Sequence, residues 1–234
     1  VVRVTLARPE KRNALTEDMC EAIVDAVEQA PGAVLLDAEG DVFCAGMDLE
    51  SASAKTTAIH ARLFSIGFRS TTPIVCAVQG PALGGGVGLV ANAHVAVAAH
   101  GAQFGLTEIR VGMWPYVIWP SIVAALGERR ARMLALTGSI FGLKEALDWQ
   151  LIHESVPLVE LEDRATAVAH ALAESSRSTI AAGLDFTNRA RGLPLDAALD
   201  LALAAREKTF DSPDFAEGIA AFREKRKPRW PSLA

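Results

Sequence analysis

Between Ser70 and Thr107 the chain has no aspartate, glutamate, lysine or arginine. A membrane span needs about 20 uninterrupted apolar residues. This stretch is broken by Pro73, Gln79, Pro81, several glycines, Asn92 and His94, so it reads as buried core and the membrane reading falls away. Basic residues are outnumbered, giving a formal net charge of −5. That argues against a nucleic-acid partner, which requires a basic face, but leaves room for an anionic ligand held by a few local cations. Cysteine is scarce: Cys20, Cys44 and Cys76 form neither a disulfide framework nor a metal-ligand pattern. Reduced thiols in a cytoplasmic protein are the expectation. His60, His94, His100, His153 and His170 lack zinc-site spacing, so no metal is expected. No Gly-x-Ser-x-Gly is present, which removes the serine-hydrolase elbow. Nothing near Val1–Ala7 resembles a signal peptide; the residues alternate as in a strand.

What remains is an ordinary globular composition, 234 residues of which half are apolar. The first half alternates strand and helix signals. Strands are expected at Val2–Ala7, Ala33–Ala38, Ile74–Val78 and Val95–Ala98. Helices are expected after an N-cap at Thr16, over Thr56–Ser70, and near Gly86–Ala93. Past about Pro120 the pattern turns helical, with candidates at Ile122–Ala125, Ala131–Leu136, Leu143–Trp149, Leu161–Ala173, Leu195–Phe210 and Phe215–Glu224. The alternation in the first half indicates α/β architecture, and the sequence shows no second-domain boundary.

The most informative segment runs from Ile74 to Leu89, where a strand leads through Gly84-Gly85-Gly86 into a helix start. Glycines allow close backbone approach, and N–H groups at a helix start suit an oxygen that gains negative charge. A tight structural turn explains the same glycines. A P-loop would need Gly-Lys-Ser/Thr, and the segment has no lysine. Gly86-Val87-Gly88-Leu89-Val90-Ala91 does fit G-x-G-x-x-A, with Glu108 downstream in the place of a ribose-binding acid. However, Gln79–Leu83 separates those glycines from the strand, which weakens a dinucleotide site.

Five ordered blocks carry a more specific signal. They are Arg8-Pro9-Glu10-Lys11-Arg12-Asn13-Ala14-Leu15, Phe43-Cys44-Ala45-Gly46-Met47-Asp48-Leu49, Gly80 through His94, Phe104-Gly105-Leu106-Thr107-Glu108, and Phe215-Ala216-Glu217-Gly218 with Phe222 through Pro228. Together they resemble the enoyl-CoA hydratase/isomerase (crotonase) superfamily. The resemblance implies an α/β spiral of β-β-α turns over residues 1–175 and a C-terminal helical region over 176–234 of the same functional unit, assembled as a homotrimer or hexamer. It also implies an acyl-CoA thioester substrate, with coenzyme A entering as part of the substrate and no tightly bound cofactor. Backbone N–H groups of Met47 and Gly85 would hold the thioester oxygen, and Glu108 would act as acid/base. Ala45, Asp48, Leu49, Gly84 and Lys225 match positions that line the substrate and CoA path.

Departures from the family pattern shape the chemical expectation. Typical hydratases pair two glutamates; the first would fall at Gly88, which has no side chain. Hydration delivers both a proton and a hydroxide, which suits two carboxylates, whereas a double-bond shift needs one group that removes and returns a proton. One-glutamate isomerases resemble this arrangement, so isomerisation is favoured over hydration. Hydration of branched or unusual acyl-CoAs stays open, because some such enzymes resemble Gly-Gly-Gly-Val-Gly-Leu too. A non-catalytic acyl-CoA scaffold and a dinucleotide oxidoreductase are the readings from other classes. A glycine-rich family loop is replaced by Gly112-Met113-Trp114-Pro115-Tyr116-Val117-Ile118-Trp119, making Tyr116 a candidate auxiliary donor or a packing residue. Arg8, Lys11, Arg12, Arg226 and Lys227, like Lys225, are either CoA-phosphate contacts or solvated surface charges.

Overall fold

The computed structural model describes residues 1–50 and 53–234. The chain opens with β1 (Val2–Leu6), α1 (Glu17–Gln29) and β2 (Val34–Ala38). Thr16 caps α1 as its sequence suggests, its hydroxyl accepting the Met19 N–H at 3.3 Å. Next come α2 (Thr57–Leu63), β3 (Ile74–Val78), β4 (Ala82–Leu83), α3 (Gly85–Asn92), β5 (Val95–Ala99) and β6 (Phe104–Gly105). The expected single helix over 56–70 is instead α2 followed by a separate 3₁₀ turn at Ile66–Phe68.

The order β1-β2-β3-β5 makes an all-parallel sheet, closed by β8 (Glu154–Val156) at its far edge. Parallel strands covered on both faces read as continuous apolar runs, and Ile74–Val78 is buried throughout. One face, with Leu36, Cys76 and Ala98, joins the main core; the other, with Leu35, Val75 and Val97, meets Leu161, Ala165 and Ala169. Those three residues recur every four positions on α7 (Leu158–Ala173), so one helical stripe seals that face.

A second, smaller sheet runs β4-β6-β7, where β7 is Ile140–Phe141. A single bridge from Cys44 to Ala82 extends it toward the N-terminal part. Thus large-sheet strand, small-sheet strand and helix recur three times: β2, Cys44 and α2; β3, β4 and α3; β5, β6 and α4 (Trp119–Leu126). This is the β-β-α spiral expected from the five blocks. After α4 come α5 (Glu128–Thr137) and α6 (Leu143–Asp148), which leads into β8.

Beyond α7 lie α8 (Arg177–Ala190), α9 (Leu195–Phe210) and α10 (Pro213–Glu224). Helix α8 is not expected from sequence: it buries no residue, and Gly183, Thr179 and Thr187 lower its intrinsic helix preference. A buried carboxylate ties this region together. Asp214 on α10 accepts from the hydroxyls of Ser176 (2.5 Å) and Ser178 (2.9 Å), at the start of α8, and from the Ser232 N–H (3.0 Å). Arg191 lies over the Phe68 ring at 4.2 Å and docks the end of α8 on the core. The three cysteines are all buried. Burial pushes the thiols of Cys20 and Cys44 up to about 12, and that of Cys76 higher still. No helix among the described residues is long and apolar enough to cross a membrane.

Candidate active site

The glycine turn is built by backbone pairing. Leu83 donates its N–H to the Cys44 carbonyl (2.9 Å) and Gly84 donates to Gly105 (2.9 Å). Gly84 then adopts φ +51°, a region that favours glycine, and α3 begins at the next residue. Facing it, Gly46 sits at φ +98°, and a Cβ there would come 3.3 Å from the Gly85 nitrogen and 3.1 Å from the Leu83 oxygen. The two loops therefore meet backbone to backbone. The N–H groups of Met47 and Gly85 have no acceptor among the described residues, and both residues line one cavity of about 540 Å³. A pair of such donors beside the positive end of α3 suits an oxygen that becomes negatively charged.

Glu108 enters the same cavity from the 3₁₀ turn after β6. A methyl placed on Gly84 would lie 3.1 Å from Glu108 Oε1, so the carboxyl sits against the glycine turn. Its Oε2 is buried without a hydrogen-bond partner among the described residues. Burial raises its pKa above the ordinary carboxylate value, more than its own backbone N–H lowers it. Arg110, two residues further on, does not pair with it and donates to the Gly138 carbonyl at 2.6 Å.

Of the other expected contacts, Ala45, Leu49 and Gly84 line the cavity, and Tyr116 stands at its rim, 74% exposed. The Asp48 side chain is not among the described residues of the cavity wall. It accepts from Arg8 at 2.6 Å and from the Glu50 N–H at 3.0 Å. Arg8 beside it holds its carboxyl below the usual range. The residue therefore braces the loop that follows Gly46. Lys225 likewise lies outside the cavity lining, exposed and left-handed at the C-terminal end of α10. Arg8 and Lys11 pair with Asp48 and Glu50, and Arg226 with Glu217 and Glu224. Those three cations serve the chain itself.

The place of the missing first glutamate is filled. A Cβ on Gly88 would fall 2.5 Å from Ile118 Cγ2 and 2.9 Å from the Phe64 ring. Neither residue was singled out from sequence, since one belongs to the turn after α2 and the other precedes α4. Gly86 is equally crowded, its Cβ position lying 2.3 Å from the Cys44 oxygen. Gly86 and Gly88 are thus helix-packing glycines inside α3, and the G-x-G-x-x-A match marks no phosphate cradle. Among the described residues no group of three His, Cys, Asp or Glu could hold a metal ion.

Comparison with known proteins decides the lineage. The family model described as enoyl-CoA hydratase/isomerase matches residues 1–232. The chain belongs to the enoyl-CoA hydratase/isomerase family. Within that family it is similar to the mevalonyl-coenzyme A hydratase of Aspergillus fumigatus, 30% identical over 98% of this chain and 91% of that protein. It is similar also to the mitochondrial enoyl-CoA hydratase domain-containing protein 3 of Danio rerio, 32% identical over 97% and 83%. Among solved structures, an enoyl-CoA hydratase of Mycobacterium smegmatis superimposes with a TM-score of 0.91 at 28% identity, covering 97% of this chain and 94% of that one. The crotonase-type α/β fold follows from these likenesses.

Proposed function

We propose that this family member acts on an acyl-CoA thioester as a one-carboxylate enzyme, shifting a double bond in preference to hydrating one. The observation that carries this reading is Gly88, whose missing side chain is replaced in space by Ile118 and Phe64. A second carboxylate has no place there, and Glu108 is the only carboxylate among the described residues of the cavity wall.

In this mechanism the thioester oxygen accepts from the N–H groups of Met47 and Gly85. Glu108, ionised, removes a proton from the carbon next to the carbonyl. The electron pair moves onto the oxygen, giving an enolate that the two N–H groups stabilise. The carboxylic acid then returns the proton two carbons further along, and the double bond comes into conjugation with the thioester. Atoms and charge balance without a cofactor. Losing one oxyanion donor would raise the barrier by about 2.7–4 kcal/mol. The desolvated Glu108 is a stronger base than an exposed carboxylate, and its raised pKa has a kinetic sign. Because the free enzyme must hold it ionised, kcat/KM should climb as pH rises through that elevated value.

The deciding experiment measures turnover of a 3-enoyl-CoA and of crotonyl-CoA by wild type and Glu108→Gln. Isomerisation should dominate and fall by about 10²–10⁴-fold in the variant, with acyl-CoA binding kept. Hydration as the faster activity would support the second reading, a hydratase of branched or unusual acyl-CoAs, which the names of the relatives favour. Binding without turnover of either substrate would leave an acyl-CoA scaffold, and no binding would overturn the proposal.

We also place this enzyme in a homotrimer or hexamer in the cytoplasm. Leu195, Leu199 and Leu203 line up at four-residue spacing on α9 and are at least half exposed, as are Phe210 and Phe222. An apolar stripe of this kind supports burial against a second copy. Buried, unpaired thiols support the compartment.

A further inference from the structure

The cavity contains a polar side chain that the mechanism above does not use. His60, on α2, lines the cavity and is 6% exposed. Its imidazole makes no hydrogen bond or ion pair with any described residue, although its backbone carbonyl is engaged by the Phe64 N–H at 2.9 Å. Glu108 and Tyr116 are the other titratable groups on the described wall, and neither pairs with it. One helical turn along α2, about 5.4 Å in rise, Phe64 covers Gly85 and Gly88; the His60 and Phe64 ring centroids are 6.3 Å apart. His60 therefore stands next to the reacting region, on the wall that lacks the second glutamate.

The ring nitrogens are not sealed in the core but open to the cavity, so a bound acyl chain that cannot pair with them leaves them bare at a cost. A hydrocarbon acyl chain would leave both ring nitrogens unpaired. Burial disfavours the imidazolium, outweighing the opposing influence of Glu17 on α1, so the ring offers one N–H donor and one lone-pair acceptor. A hydroxyl has the matching acceptor and donor. A carboxylate, which only accepts, matches less well.

We infer that His60 is a specificity-determining residue that receives a hydroxyl carried by the acyl chain beyond the reacting carbons, so that the preferred substrate is a hydroxylated acyl-CoA. This inference rests on the acyl-CoA reading above. Sites built to pair a substrate hydroxyl discriminate against the analogue that lacks it, because their own polar groups are then left bare.

The test compares two 3-enoyl-CoA thioesters of equal chain length, one ending in a methyl and one in a hydroxymethyl group. Their kcat/KM values are measured with wild type, His60→Leu and His60→Gln, and calorimetry gives the affinities of the corresponding saturated thioesters. Wild type should favour the hydroxylated member by about three- to tenfold. His60→Leu should erase or reverse that ratio, and His60→Gln, which keeps a donor and an acceptor, should preserve part of it. An equal ratio in wild type and a folded His60→Leu would overturn the inference. So would the absence of any preference in wild type, which needs no variant to fold, or a stronger preference for a carboxylate-ended chain. If both thioesters bind equally, only the role of His60 fails. If no CoA thioester binds, the acyl-CoA reading itself fails, and this inference with it.

Discussion

Glu108 shows how a single residue can be set against the stability of its own fold. Its Oε2 is buried without a partner, and burial raises its pKa. Between the ordinary carboxylate value of about 4.3 and the higher folded one, the native state keeps a proton that the unfolded chain releases. Stability contributed at this position is therefore present at acid pH and declines as pH rises through that interval. Glu108→Gln removes the charge that burial penalises, so it should gain stability relative to wild type on going from pH 4 to pH 7. Urea titrations of both proteins across that range check the sign, and an equal pH dependence would refute it. The residue was legible in the sequence because its block, Phe104 through Glu108, ends the long uncharged stretch. Its lack of a partner was not, since only the folded chain turns Arg110 toward Gly138. His60 was less legible still. In sequence it is one histidine on a short helix, and its place in the cavity depends on how α2 lies across the start of α3.

Among the elements, α3 is the one on which the site depends. Its first turn supplies a donor, and its glycines at 86 and 88 let the Cys44 loop, Phe64 and Ile118 close in. Restoring the hydratase-type acid by Gly88→Glu should not restore hydration. The new Cβ alone would meet Ile118 at 2.5 Å and Phe64 at 2.9 Å, and overpacking of this kind costs about 1–3 kcal/mol or more. Lower thermal stability with no gain in hydration is the expected result; a stable variant that hydrates crotonyl-CoA would contradict it. Long, doubly buried strands such as β3 and β5 announce themselves as apolar runs. Short elements do not: β6 and β7 have two residues each, too few for any period, and they exist because the backbone of the spiral places them side by side. Helix α8 escapes for the opposite reason. It has length enough, but Gly183 and its threonines weaken the local helix signal.

At the scale of the molecule, the core and the helical region differ in how they are held. Residues of the two sheets and α7 share continuous apolar clusters. The helices after them are joined through the Asp214 hydroxyl cluster and the Arg191–Phe68 contact while keeping leucines in the open. A charge placed on that stripe tests whether copies meet there. Leu199→Asp should lower the assembly mass measured by light scattering, leaving the monomer folded, because the residue touches no buried core. An unchanged mass would remove α9 from the interface. The order of blocks in the sequence conveys the spiral, but not which outer surface serves assembly, since exposure is a property of the finished surface.

The buried thiols have a use outside catalysis. Cys20 lies on α1, Cys44 in the loop beside Gly46, and Cys76 on β3, so each belongs to a different part of the spiral. A thiol reacts as its anion, and none of the three is ionised or reachable in the closed molecule near neutral pH. Alkylation at each position therefore counts excursions in which that part of the chain comes apart. Three built-in clocks, read by mass spectrometry without any substitution, would time the release of the loop at Cys44 and Gly46 separately from the melting of the sheet.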